Sequence, residues 1–279
     1  MAVDVDSFTV DSGGVMLWGE YSGDGPAIVL LHGLTATRRY VVMGSRLLQR
    51  SGLRVVSYDA RGHGSSAAAG DRGAYRYEDL ASDLGALLDA MGLQRAILAG
   101  ASMGAHTALA FALSNPERVS ALALITPAYD PRAPRGGEDL DRWDSLANGL
   151  REGGVEGFVA AYGLEAVPPA WRATIETVLR QRLAAHEHPL AVADALEAVP
   201  RSQPFEKLAD LAALRMPALV VGSRDEADPG HPLAVAELYA GAIPDARLAV
   251  EREGSPLAWQ GGQLSRLLLE LSERATAAT

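Results

Sequence analysis

The chain has 279 residues, 48% of them apolar, and a net charge of −10. That is enough chain and apolar content for one large α/β core with an insertion, and the acidic balance argues against nucleic acid or an anionic membrane surface as a partner. Cysteine is absent, which excludes disulfides, a thiol nucleophile and thiolate metal sites.

The first ten residues carry acids and no base, unlike a signal peptide. No apolar run approaches the roughly 18 residues of a membrane helix. A cytoplasmic location is the expectation.

Residues 8–10 and 15–21 read as two strands around an Asp11-Ser12-Gly13-Gly14 turn, a hairpin. Residues 27–31 form a continuous apolar run, as in a strand buried on both faces, and end in His32-Gly33-Leu34-Thr35. A helical pattern follows over about 38–50, then a strand at 53–58. That strand runs into Asp59-Ala60-Arg61-Gly62-His63-Gly64-Ser65-Ser66. Residues 77–91 repeat leucine at helical spacing, with Gly92 as the C-cap. A strand over 96–99 reaches Gly100-Ala101-Ser102-Met103-Gly104, and an alanine-rich helix continues to 114. A strand at 119–125 follows. Strands alternating with helices predict a mostly parallel, doubly wound sheet.

The alternation stops at Thr126-Pro127. Residues 127–205 hold no convincing strand but three or four helical stretches, near 138–150, 153–162, 170–187 and 189–199. They read as a helical cap inserted into a core of residues 1–126 and 206–279. Trp143, Phe158, Tyr162 and Trp171 are expected mainly as cap core, with one or two lining a pocket. The core resumes with a short helix at 205–214, strands at 218–221 and 247–250, a helix at 231–240 and a terminal helix at 263–274.

The chemistry centres on Ser102. A serine between strand and helix, with glycine two positions to each side, is pushed out at strained dihedrals, and the glycines let strand and helix cross. The helix N-terminus beyond it offers the Met103 N–H to a developing oxyanion. These motifs together resemble the α/β-hydrolase fold family, in its esterase, lactonase and C–C hydrolase branch. The resemblance rests on His32-Gly33, the Asp59 to Ser66 segment, the Gly-x-Ser102-x-Gly elbow, the cap and Gly222-Ser223-Arg224-Asp225. It implies an eight-stranded sheet, Ser102 as nucleophile, the Leu34 and Met103 N–H groups as oxyanion donors, and Asp225 as acid, with Asp228 as its near competitor. A serine nucleophile argues against the epoxide hydrolases and haloalkane dehalogenases of the same fold.

One part of the pattern is missing. The family places a Gly-His pair after the last strand, whereas here Gly254 is followed by Ser255, and no histidine occurs beyond His231. A serine has no accessible pKa near 7 and cannot replace the base. Among the six histidines, His186 and His188 read as solvated cap residues. His32 and His63 read as loop organisers, and His106 as a packed or surface side chain. His231, at the start of the helix after the acid loop, can swing into the vacancy and be oriented by Asp225 or Asp228. His32, Gly33, Ser255 and Trp259 are expected around the pocket. Lys207 lies at the wrong end of the sheet for a Ser–Lys dyad.

The expected function is a serine hydrolase for a small ester, lactone or related carbonyl compound, with a rearranged triad. The alternative is a non-hydrolytic member of the fold: a binding protein, cyclase, lyase or isomerase. No cofactor is expected, and no histidine–carboxylate cluster has metal-ligand spacing. The expected partner is a small-molecule substrate, with a homodimer left open as the assembly.

Overall fold

The computed structural model describes residues 4–133, 136–224 and 228–277. β1 (Asp6–Ser12) and β2 (Val15–Ser22) form the antiparallel hairpin. Gly13 and Gly14 close it at φ +60° and +88°, a region costly for side chains with a Cβ. β3 (Ala27–Leu31), β4 (Arg54–Tyr58), β5 (Ala96–Ala101), β6 (Val119–Ile125), β7 (Ala218–Val221) and β8 (Ala246–Ala249) complete the sheet. Its order is β1-β2-β4-β3-β5-β6-β7-β8, with parallel pairing from β4 to β8.

After β3 the chain moves outward to β4, then returns to place β5 on the other side of β3. The loops leaving β3 and β5 therefore diverge at a topological switch point, where open α/β sheets leave a crevice at the strand C-termini. His32-Gly33-Leu34 leaves β3 and Ser102 leaves β5, and Leu31 pairs with Gly100 in register.

The sheet is covered on both faces. On one, α2 (Tyr77–Ala90), α3 (Met103–Ser114) and α7 (Leu233–Ala242) bury Leu84, Leu88, Leu109, Val235 and Tyr239 against Val29, Leu98 and Val220. On the other, α1 (Leu47–Arg50) and α8 (Gly261–Ala277) bury Leu48, Leu264, Leu268 and Leu271 against Ile28, Ile97 and Leu219.

Between β6 and β7 lie α4 (Glu138–Tyr162), α5 (Pro169–Leu183) and α6 (Pro189–Arg201). They pack a separate apolar cluster around Leu146, Phe158, Leu179, Val192 and Leu196, with Leu34 and Trp259 of the sheet's loops against it. Another face of α6 sets Ala191, Ala195 and Val199 against Tyr75, Tyr77 and Met103. These helices thus lie over the strand ends. α4 is two helical stretches, as expected at 138–150 and 153–162, which meet at a non-helical Gly154 with φ +58° and ψ −142°.

Two expectations need correction. The helix expected over 38–50 is only a 3-10 turn at Arg38–Tyr40 and the four-residue α1; Met43 and Gly44 both take positive φ and stop a continuous helix. The helix expected from residue 231 begins at Leu233, behind Pro232, which leaves His231 in the turn before it.

Candidate active site

Ser102 has φ +50° and ψ −112°. A non-glycine residue there costs on the order of 1–3 kcal/mol and needs its surroundings to hold it. Those surroundings are tight. The Ser102 N–H donates to the Ile125 carbonyl (2.9 Å) and its carbonyl accepts from the His106 N–H (3.1 Å). A Cβ on Gly100 would collide with the backbone of Gly104 and Ala105, and one on Gly104 with the carbonyls of Leu31 and His32. Gly33 lies against the serine itself: its added Cβ would stand 3.4 Å from Ser102 Cβ. Met103 opens α3, so its N–H has no acceptor within the helix.

An imidazole faces the serine despite the vacancy after β8. His231 Nε2 is 2.8 Å from Ser102 Oγ, and His231 Nδ1 is 2.8 Å from Asp228 Oδ1. Burial pushes the Asp228 carboxyl up, but the facing His231 and the more distant Arg182 hold it below its ordinary range. An ionised Asp228 only accepts, so Nδ1–H donates to it and Nε2 is left to accept from the Ser102 hydroxyl. The turn is short because the His231 N–H bonds back to the Asp228 carbonyl (3.1 Å). Between the two expected acids, the contact is with Asp228; Asp225 lies outside the described residues. The His231 and Asp228 side chains are 24% and 21% exposed, so solvent reaches the pair.

The other histidines near the strand ends are engaged elsewhere. His32 is 2% exposed and does not line an open pocket; its Nδ1–H donates to the Gly33 carbonyl (2.8 Å) and its Nε2 accepts from the Ala60 N–H (2.9 Å). Burial pushes its pKa down to about 3, so it stays neutral and braces the turn carrying Leu34. His106 accepts the Ala128 and Tyr129 N–H groups on Nε2, both at 3.2 Å, and meets Tyr77 Oη at 3.0 Å. Burial pushes it too down to about 3.

His186, expected in solvent, is buried. It accepts from the Gly64 N–H (2.8 Å) and donates to the Thr35 carbonyl (3.0 Å), which ties the end of α5 to two core loops. His63 bonds the Arg61 carbonyl (2.9 Å), while His188 is exposed, as expected.

The Asp59 to Ser66 segment is a buried scaffold. Asp59 takes the Arg38 N–H (2.8 Å) and guanidinium (2.6 Å). Arg61 makes a two-pronged bond to Asp83, each arm 2.7 Å. Trp259 packs edge-on against Trp171, their centroids 5.7 Å apart. Leu34, Trp143 and Tyr162 border the same cluster. The Ser255 carbonyl accepts from Gln260.

Two residues escaped the sequence reading. Glu251 is buried and accepts from the Arg224 and Leu257 N–H groups and the Ser223 hydroxyl, joining the loops after β7 and β8. Its signal was an acid just beyond a core strand. Arg182 stacks over Tyr40 with 5.1 Å between guanidinium carbon and ring centre. Helical spacing from His186 was its only mark. Among the described residues no group of three or more histidines and carboxylates could hold a metal ion, and no helix is long and apolar enough to cross a membrane.

This architecture has relatives. The chain is 31% identical over 205 residues to a putative carbamate hydrolase, RutD, of Variovorax paradoxus, covering 73% of this chain and 75% of that one. It is 33% identical over 208 residues to 2-hydroxy-6-oxononadienedioate/2-hydroxy-6-oxononatrienedioate hydrolase 2 of Pseudomonas putida, covering 71% of each. A further match at 40% identity spans only 32% of its relative. In three dimensions it superimposes on the enol-lactonase of Burkholderia xenovorans LB400 with a TM-score of 0.78 at 22% identity, covering 95% of this chain and 99% of that one. A family model for the alpha/beta hydrolase fold matches residues 26–258, and with the sheet order and the elbow already described, this chain belongs to the α/β-hydrolase fold family.

Proposed function

We propose that the protein is a serine hydrolase for a small ester or lactone, working through Ser102, His231 and Asp228, with the helices between β6 and β7 as its cap. The observation that carries this reading is the unbroken chain of two 2.8 Å contacts from Asp228 through His231 to Ser102. Kinship with the two hydrolases, each matched over more than two thirds of its length, supports hydrolysis in general.

The chemistry follows from the geometry. Ser102 Oγ attacks the carbonyl carbon as its proton passes to His231 Nε2. The carbonyl π pair moves onto oxygen, and the Leu34 and Met103 N–H groups hold the oxyanion. Asp228 keeps Nδ1–H donating and stabilises the imidazolium. The tetrahedral adduct collapses, its C–O bond breaks, and the leaving alkoxide takes the proton from Nε2. Water then repeats the sequence on the acyl-enzyme, releasing the acid and restoring the Ser102 hydroxyl.

A fluorophosphonate probe tests the proposal. Wild type should be labelled, Ser102→Ala not at all, and His231→Ala more slowly by about 100- to 10,000-fold, the usual cost of losing a general base. Undiminished labelling of His231→Ala would remove His231 from the mechanism. No labelling of wild type would favour the non-hydrolytic alternative.

A further inference from the structure

The turn after β3 carries the Leu34 N–H, and its backbone is strained. The Ala36 N–H donates to the Gly33 carbonyl (3.0 Å), which makes Leu34 and Thr35 the central pair of a tight turn. Thr35 takes φ +67°. A β-branched residue rarely adopts that region and stays there only where its surroundings hold it. Two buried imidazoles grip this turn. His32 donates from Nδ1 to the Gly33 carbonyl at its head (2.8 Å). His186 donates from Nε2 to the carbonyl of Thr35 itself (3.0 Å).

The two differ in origin. His32 belongs to the loop it braces, whereas His186 lies 151 residues away in sequence, in the turn between α5 and α6. That turn is fastened to the core twice more. The Gly64 N–H donates to His186 Nδ1 (2.8 Å), and the Glu187 N–H donates to the Gly64 carbonyl (2.9 Å). Because Nδ1 accepts, the proton of the neutral ring sits on Nε2, where Thr35 needs it. The ring is only 9% exposed and stands edge-on to His63, their centroids 5.5 Å apart, so water does not readily take its place. The turn it holds also borders the nucleophile: a Cβ on Gly33 would stand 3.4 Å from Ser102 Cβ.

We propose that His186 is a positioning residue, whose bond to the Thr35 carbonyl keeps the turn over 33–36, and with it the Leu34 N–H, in the geometry that receives the oxyanion. It acts through Thr35 and not on the substrate. This rests on the serine hydrolase reading for its effect on turnover, but not for its effect on the turn. Oxyanion geometry matters most in the transition state, so its loss lowers kcat more than it raises KM.

Two amides divide the roles of the ring. His186→Gln keeps an N–H donor near the place of Nε2 and gives up the acceptor for Gly64. His186→Asn keeps an acceptor near the place of Nδ1 and gives up the donor for Thr35. Each forfeits one bond, so their melting temperatures should fall alike. With p-nitrophenyl acetate, His186→Asn should lower kcat by about 10- to 100-fold and leave KM within about threefold. His186→Gln should keep kcat within about threefold of wild type. Amide hydrogen exchange over residues 33–37 should quicken by about tenfold in His186→Asn and stay near wild type in His186→Gln.

Equal losses of kcat in the two variants, tracking their melting temperatures, would overturn the proposal in favour of a role in stability alone. Unchanged exchange over 33–37 in His186→Asn would overturn it as well. So would a tenfold loss of kcat in His186→Gln, which retains the donor, whether or not His186→Asn folds. Hydrogen exchange separates the two readings. If wild type is inert to both the ester and a fluorophosphonate probe while exchange over 33–37 still quickens in His186→Asn alone, the brace on the turn stands and the serine hydrolase reading falls.

Discussion

Ser102 and His231 come from loops 129 residues apart in sequence, and the serine's strained backbone shows how closely their meeting is constrained. The side chain that orients the imidazole decides which acid matters. Asp228 contacts Nδ1 at 2.8 Å, so Asp228→Asn should slow fluorophosphonate labelling and ester hydrolysis by about 100-fold or more, because the amide can present its NH₂ to Nδ1 and favour the wrong tautomer. Asp225→Asn should leave both rates within about threefold. The reverse pattern, measured on the same two assays, would move the acid to the position the family resemblance implies. The neutral, doubly bonded His32 belongs to a different kind of residue, one that shapes the turn and leaves the substrate alone.

At the scale of the elements, the elbow and the two loops beside it depend on close backbone approach. Gly100→Ala places a methyl into the Gly104 peptide, and neither backbone can retreat without pulling β5 from α3. We expect about 1–3 kcal/mol of destabilisation, and more if the strand cannot shift, measured by urea unfolding. Glu251→Ala leaves the Arg224 and Leu257 N–H groups of two loops without their acceptor, while the Ser223 hydroxyl keeps the Arg224 carbonyl. A loss on the order of 1–3 kcal/mol follows, with a fall in kcat larger than that of Glu251→Gln, which keeps an acceptor oxygen.

The elbow, the sheet and the helices over the strand ends were legible in the sequence because each depends on local pattern: apolar runs, leucine spacing, small residues around a serine. His231 was legible only by elimination, since which loop brings an imidazole to Ser102 is a tertiary fact. Glu251 and Arg182 left no local pattern, because what distinguishes them is burial beside partners far away in the chain. The missing turns of the helix expected over 38–50 were hidden for a related reason. Its periodicity looked helical, but the chain there must wrap around Asp59, which binds both the Arg38 N–H and guanidinium.

Across the whole molecule, four buried histidines make the fold sensitive to acid. Burial holds His32 and His106 down to about 3, and lowers His63 and His186 as well. An unfolded histidine titrates near 6.5, so between that pH and the folded value the unfolded chain binds more protons. Stability is then fully present above about pH 6.5 and lost as pH falls, down to about 3 for His32 and His106, by up to about 1.4 kcal/mol per pH unit for each of those two. Acidification also brings the net charge of −10 toward zero, which relieves self-repulsion and acts in the opposite sense. That effect is spread over the surface and screened by salt, whereas the four imidazoles are buried and are not.

Urea unfolding at pH 7.0, 6.0 and 5.0 should therefore show falling stability, with the slope kept in about 0.5 M salt, where the Debye length is only a few ångströms. His106→Gln retains an acceptor for Ala128 and Tyr129 but cannot take up a proton in this range. It should flatten the slope by up to about 1.4 kcal/mol per pH unit. A stability that stays level or rises from pH 7 to 5, or a slope unchanged by His106→Gln, would mean that these imidazoles protonate without leaving the fold and that the four-histidine account of its acid sensitivity is wrong.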